Sequence, residues 1–264
     1  MRLTALGLLT IVLAFWLQRR DERRWVRRLG WGALAAVVAQ GVLGGLTVLF
    51  LLPTPVSVAH ACLAQTFFCI VVTLAVATSP RWKAGETAPA SSVSRAAAAL
   101  TGLVFLQLLV GAVMRHTKAG LAIPDFPLSL GRIVPPLTSF AVAIHFAHRV
   151  GALLVAAGAA VAVTRAVQSG RPALAKLGGV LALSVCAQIA LGALTVLSKK
   201  DVVLTTAHVV TGAIVLGASL GLAIASRFRG QIRERPALRS LGEGEAGLVE
   251  ERSDRIVTEA LSWK

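Results

Sequence analysis

Two stretches decide how this chain folds: QGVLGGLTVLFLLPTPVSVAH, Gln40 to His60, and QIALGALTVLSKKDVVLTTAH, Gln188 to His208. They align without a gap at an offset of 148, and nine of 21 positions coincide. Agreement at Leu and Val is ordinary between apolar helices. Agreement at Gln, Gly, Thr and His in one register is not, so the chain is an internal duplication. Each stretch reads as the end of one apolar helix, a turn, and the start of the next. The offset spans four helices, an even number, so the copies share one orientation and form a parallel repeat.

A third copy of the helix motif is QLLVGAV, Gln107 to Val113, so Gln-x-x-x-Gly occurs at 40/44, 107/111 and 188/192. The i, i+4 spacing puts amide and glycine on one helix face. Glycine there admits a neighbouring backbone, and the amide can bond across the gap; simple packing is the bland alternative. Each such helix is followed by one carrying a histidine: His60, His148 or His208. The repeating unit is a helix pair, one Gln-Gly helix and one His helix.

Composition sets the solvent. Of 264 residues, 56% are hydrophobic and 15% charged, and the mean hydropathy is +0.75. That is the signature of a polytopic helical membrane protein. Seven spans are predicted, near 1–18, 30–52, 55–78, 96–115, 139–165, 173–197 and 203–226. The net charge of +15 does not indicate nucleic acid, because the basic residues flank the spans and suit acidic lipid head groups. Twenty of the 27 Lys and Arg fall on one side, in RRDERRWVRR, around Arg81 to Arg95, around Arg165 to Lys176, and after Ser226. That bias predicts a cytoplasmic C-terminus and Met1 outside. The first span is not a cleavable signal, since its basic cluster follows the apolar run. Cys62, Cys69 and Cys186 lie within apolar runs and predict no disulfide framework.

An ionisable residue inside a span is a functional-site hypothesis. His60 and His208 fall about 8 Å, and His148 about 13 Å, below the outer surface at 1.5 Å per residue. Neutral imidazole is a ligand that can be buried at modest cost. Two imidazoles opposed on separate helices of a bundle suit a six-coordinate heme iron. His148 and His208, both in the complete second half, are the expected axial pair. Zinc fits less well, since no further Cys, Asp or Glu lies at that depth. Satisfied core histidines are the alternative, and the weightier one for His145; His116 is placed in the outer loop. Arg149 is expected to reach outward to a heme propionate, with Arg115, Lys118, Lys199 and Lys200 as weaker candidates. The loop RHTKAGLAIPDFPLSLGRIVPP, 115–136, has the Gly, Pro and Asp content of an ordered cap over a heme edge.

GAVMRHTKAGLAIPDFPLSLG, the His148-Arg149 pair, and the two copies of Q-x-x-L-G-x-L-T ending in A-H resemble the heme A synthase family, CtaA type, along nearly all of 1–226. The resemblance implies an all-α membrane bundle with eight helices in two four-helix halves. It implies oxidation of the heme O ring methyl to formyl by successive hydroxylations, with a heme b on His148 and His208. His60 matches one of two histidines at the substrate heme, and so is the expected catalytic and metal residue there. Aligning Arg2-Leu-Thr-Ala-Leu with Arg149-Val-Gly-Ala-Leu puts Met1 where the other histidine belongs. The expectation is a chain lacking the first helix, its outer loop and that ligand, and hence doubtful activity if the absence is genuine.

The expected organisation is an incomplete substrate-heme half over 1–78, a linker over 79–95, a heme b half over 96–226, and a tail over 227–264, disordered or on the membrane surface. Implied partners are membrane lipid, heme O synthase, terminal oxidase assembly and a second copy of the chain, in a bacterial-type plasma membrane. The rivals are a b-type membrane cytochrome that only passes electrons and, from the repeat alone, a transporter. A retinal-type receptor is disfavoured because no lysine lies within the core of a span.

Overall fold

The structure is a computed structural model describing residues 2–51, 53–79 and 92–227, with side chains from Ala5 onward. Met1, the Arg2 side chain, Arg81, Lys83 and most of the linker and tail lie outside the described residues.

Among the described residues seven long helices form, as the apolar runs predict: α1 (Arg2–Arg20), α2 (Arg24–Leu49), α3 (Thr54–Thr78), α4 (Ser92–His116), α5 (Phe140–Gln168), α6 (Pro172–Leu197) and α7 (Val202–Ala225). Among the described residues, the six from α2 to α7 are long and apolar enough to cross a membrane. The fold is a polytopic helical bundle. The helix ends joined by the 117–139 loop form one end of the bundle, here the loop end; the arginine-rich ends form the other.

α2 starts six residues before its predicted span. Hydropathy falls at the arginines, but arginine is a good helix former and its stem packs while its head stays wet. Arg23, at the N-cap, pairs with Asp21 at 2.6 Å and donates to the Ala77 carbonyl at 3.0 Å, tying this turn to α3. At the other end α2 stops at Leu49, because Leu51 takes a left-handed φ of 54°. Its repeat counterpart Lys199 has φ 55°. No residue coincides between 50–58 and 198–206, yet the two turns share their geometry.

α4 to α7 close into a ring, each helix touching the next and α7 touching α4; α1, α2 and α3 pack in series, and α3 joins the ring along α4 and α7. One spacing governs the ring. Buried residues recur as Val93, Ala97, Leu100 and Val104 on α4, as Val155, Ala159, Ala162 and Ala166 on α5, and as Leu174, Gly178, Leu181 and Val185 on α6. On α7 the set is Val215, Ser219 and Leu222, followed by the buried Ser226. Steps of four and three residues are those of left-handed knobs-into-holes packing. The small residues let the backbones close up, which is how helices associate in lipid.

Candidate heme site in the α4–α7 ring

The same spacing, carried on toward the loop end, changes its residues. On α4 it passes from Val104 to Gln107 and Gly111; on α5 from Val155 to Ala152 and His148. On α6 it reaches Gln188 and Gly192, and on α7 Gly212 and His208. The dense seam thereby opens into a cavity of about 950 Å³, lined by His148, His208, Gln107, Gln188, Gly111 and Gly192 among others. Cofactor pockets fall in the range of about 300–1,000 Å³.

Histidines occupy one diagonal of the ring and glycines the other. The imidazole centroids of His148 and His208 are 6.4 Å apart. Two imidazoles bonded to one metal ion from opposite sides, each at about 2 Å, put their ring centroids about 6 Å apart. Each ring packs against its neighbour's glycine through its Cε1 edge. A Cβ at Gly111 would sit 3.1 Å from His148 Cε1, and one at Gly192 would sit 3.0 Å from His208 Cε1. The sequence suggested a glycine for close backbone approach; what approaches is an imidazole.

The glutamines fit the reverse way. A Cβ at Gly151 would collide with Gln107 Oε1, and one at Gly212 would lie 3.1 Å from Gln188 Nε2. So glycine faces histidine in one layer and glutamine in the next. Gln107 Nε2 lies 3.1 Å from His148 Nδ1 and donates to the His148 carbonyl at 2.7 Å. His208 Nδ1 lies 3.1 Å from the Gln188 carbonyl; donating there leaves Nε2 as an acceptor, 3.4 Å from Gln188 Nε2. At His148 the bond to the carbonyl fixes the Gln107 amide nitrogen beside the ring, so Nδ1 accepts from it.

The cap is ordered. A 3-10 helix, Ala119–Leu121, follows α4. The Asp125 carboxylate accepts from Leu130 N at 2.7 Å and Gly131 N at 2.8 Å, and these two bonds hold its pKa below the usual aspartate value. Leu130 and Gly131 have φ of 56° and 71°, and Ser129 and Arg132 exchange backbone bonds at 2.7 and 3.2 Å. This is a two-residue turn of the type with both central φ positive.

Two α5 residues pin the cap. Arg149 Nη1 donates to the Leu128 carbonyl at 2.7 Å and to Ser129 Oγ at 3.3 Å. Its Nη2 reaches the Ile123 carbonyl at 3.0 Å and the Asp125 carbonyl at 2.7 Å. His145, 2% exposed, accepts at Nδ1 from Ile123 N at 3.2 Å. It is a satisfied histidine that ties loop to helix. His116 ends α4 rather than sitting in the loop, and its carbonyl accepts from Thr54 Oγ1 at 3.3 Å. Lys200 and Arg115 line the cavity at its loop end.

The first half repeats part of this arrangement. His60 lies on Gly44, where a Cβ would be 3.4 Å from Cε1, and its buried Nδ1 has no hydrogen-bond partner among the described residues. Among the described residues no second histidine faces it there. Among the described residues no group of three or more His, Cys, Asp or Glu suits a metal ion, whereas a pair of imidazoles suffices for heme. The fit is good: two opposed imidazoles, a glycine cradle for each, and an apolar cavity between them.

The profile of the COX15-CtaA family, described as Cytochrome oxidase assembly protein, matches residues 2–220. Heme A synthase of Symbiobacterium thermophilum is 33% identical over 156 residues, 56% of this chain and 51% of the relative. Heme A synthase of Methylobacterium radiotolerans is 31% identical over 264 aligned residues, 90% of this chain and 70% of the relative. For that of Caulobacter sp. the figures are 32% over 242 residues, 83% and 66%. The chain thus spans between about half and 70% of the length of these relatives.

Proposed function

The chain belongs to the COX15-CtaA family of cytochrome oxidase assembly proteins, and from that membership we propose that it acts in heme A biosynthesis, oxidising the ring methyl of heme O to formyl by successive hydroxylation. The observation that carries the proposal is the opposed pair His148 and His208, 6.4 Å apart across a cavity inside a four-helix ring. A heme b held there supplies one-electron transfer.

The residues divide the work. His148 and His208 would hold the heme iron. Gln107 and the Gln188 carbonyl hold the Nδ1 sides of the two rings and so fix how each imidazole is turned. Gly111 and Gly192 let the rings seat. Arg149 commits both terminal nitrogens to the cap. It therefore acts by keeping Phe126 to Ser129 over the cavity and water out, rather than by pairing directly with a heme carboxylate. His60 is assigned to the substrate heme O as its ligand from the first half. Heme O synthase and the terminal oxidase are the proposed neighbours in the process, and the C-terminus is placed in the cytoplasm.

The test is heme extraction and mass analysis after co-expression with a heme O supplier, with an absorption spectrum of the purified protein. The expected result is heme A alongside a bis-histidine heme b, with the heme b lost in H148A and H208A and the conversion alone lost in H60A. Bound heme b with heme O left unconverted would overturn the synthase reading in favour of an electron-passing cytochrome. A protein without a Soret band would overturn both.

A further inference from the structure

We infer that the Thr205 hydroxyl is a further cofactor-contacting group, donating a hydrogen bond to a carboxylate of the tetrapyrrole held between His148 and His208, directly or through one water. The inference rests on the heme reading above and concerns a residue that neither the histidine pattern nor the cap explains.

Position comes first. On α7 the inward seam runs Leu222, Ser219, Val215, Gly212, His208 in steps of three and four, and the next step of three is Thr205. Thr205 lines the same cavity as His208 and Gln188. It lies one helical turn from the ligand histidine, about 4.5 Å of rise toward the loop end, where Lys200 and Arg115 also line the cavity.

The hydroxyl itself is the second observation. Hydroxyls in these helices usually turn back on a carbonyl of the preceding turn. Thr195 does so to Leu191 at 2.8 Å, and Thr206, the very next residue, to Val202 at 2.7 Å. Thr205 does not: its Oγ1 is buried with no partner among the described residues. A buried hydroxyl without a partner is uncommon and calls for a functional explanation, more so in a bundle surrounded by lipid.

The duplication supplies the third. The buried side-chain oxygens without a partner include Gln40 Oε1 with Gln188 Oε1, and Ser57 Oγ with Thr205 Oγ1. Each pair is separated by the repeat offset of 148. A packing accident has no reason to recur at the same place in two copies whose sequences differ. Ser57 stands to His60 as Thr205 stands to His208, so Ser57 is the corresponding contact on the first half.

The chemistry selects the acceptor. A hydroxyl free to donate needs an acceptor, and outside its ring nitrogens a heme b offers two carboxylates. The Lys200 and Arg115 side chains at that end of the cavity favour the same charge.

The experiment titrates heme into the purified protein and measures the midpoint potential by redox titration for wild type, T205V, T205A, T205S and T206V. T205V and T205A are expected to weaken heme binding about tenfold, the loss of one hydrogen bond to a charged group. They should also lower the midpoint potential, since a less neutralised carboxylate favours the oxidised iron. T205S and T206V should match wild type. T205A removes the hydroxyl without a branched replacement, so it carries the comparison if T205V does not fold. Wild type with heme dependent on His148 and His208, but with T205A unchanged in both affinity and potential, would overturn this inference and leave the heme reading intact. Wild type without heme would overturn both.

Discussion

At Gly192 the room for a side chain is already taken by an imidazole, and the cost of adding one can be ranked. A methyl group would stand 3.0 Å from the His208 ring at Gly192, 3.1 Å from the His148 ring at Gly111, and 3.4 Å from the His60 ring at Gly44. The first two are overpacked and the third is ordinary contact, so G192A and G111A should each cost about 1–3 kcal/mol of site energy, with G44A much milder. Heme content per protein, read from the Soret absorbance, should fall for the first two and hold for the third. Asp125 shows a different residue-scale control. Its folded-state pKa is depressed by the Gly131 and Leu130 amides, so its contribution is fully present above the ordinary aspartate value of about 3.9. The contribution is lost as pH falls through the lower folded value, because protonation removes the charged acceptor. D125N should remove this pH dependence, seen as amide exchange at 125–131 that no longer accelerates on acidification. Most of these residues were legible from spacing alone, because Gln-x-x-x-Gly and the histidines recur. The collision partners were not. Gly151 and Gly212 match no motif, and their use is visible only once Gln107 and Gln188 are seen to lie on them.

One heptad-like seam runs through each helix of the ring and serves two purposes. At the basic end it carries Ala, Leu and Val and packs solid; toward the loop end it carries Gly, Gln and His and holds a cavity. Helix-to-helix fit and ligand placement therefore depend on the same register. G151A tests this coupling. The new methyl displaces Gln107, which contacts His148 both at Nδ1 and at its carbonyl. The variant should lose about 1–3 kcal/mol of stability and should also change the heme absorption spectrum. A stability loss with an unaltered spectrum would show that Gln107 does not hold the ligand ring. Helix existence was readable from apolar runs, but the start of α2 was not. Hydropathy registers the arginines as a boundary, whereas the backbone ladder registers only whether its bonds continue, and they do so from Arg24.

The two halves of the molecule differ in a way their sequences share only in part. Among the described residues, four helices close a ring around His148 and His208, while three pack in series beside His60. Orientation is a prediction at this scale. Twenty of the 27 basic residues fall in the flanks that the span pattern assigns to one side, so a reporter fused after Ser226 should be active only in the cytoplasm. A thiol placed in the 117–139 loop should react with an impermeant reagent from the other side; the reverse pattern would refute the charge argument. The sequence by itself determined the membrane class, the duplication, the seven long helices of the described residues and the recurrence of a histidine after each Gln-Gly helix. Each follows from composition or periodicity, which act locally along the chain. Only the tertiary structure decided that His145 and Arg149 hold the cap, that glycines seat the imidazoles, and that the Thr205 hydroxyl has no partner among the described residues. Those facts depend on which side chains meet across helices. Even the α2–α3 and α6–α7 turns, with no residue in common, take the same left-handed step at Leu51 and Lys199. The packed helix pair sets the chain's path there, and the local residues conform to it.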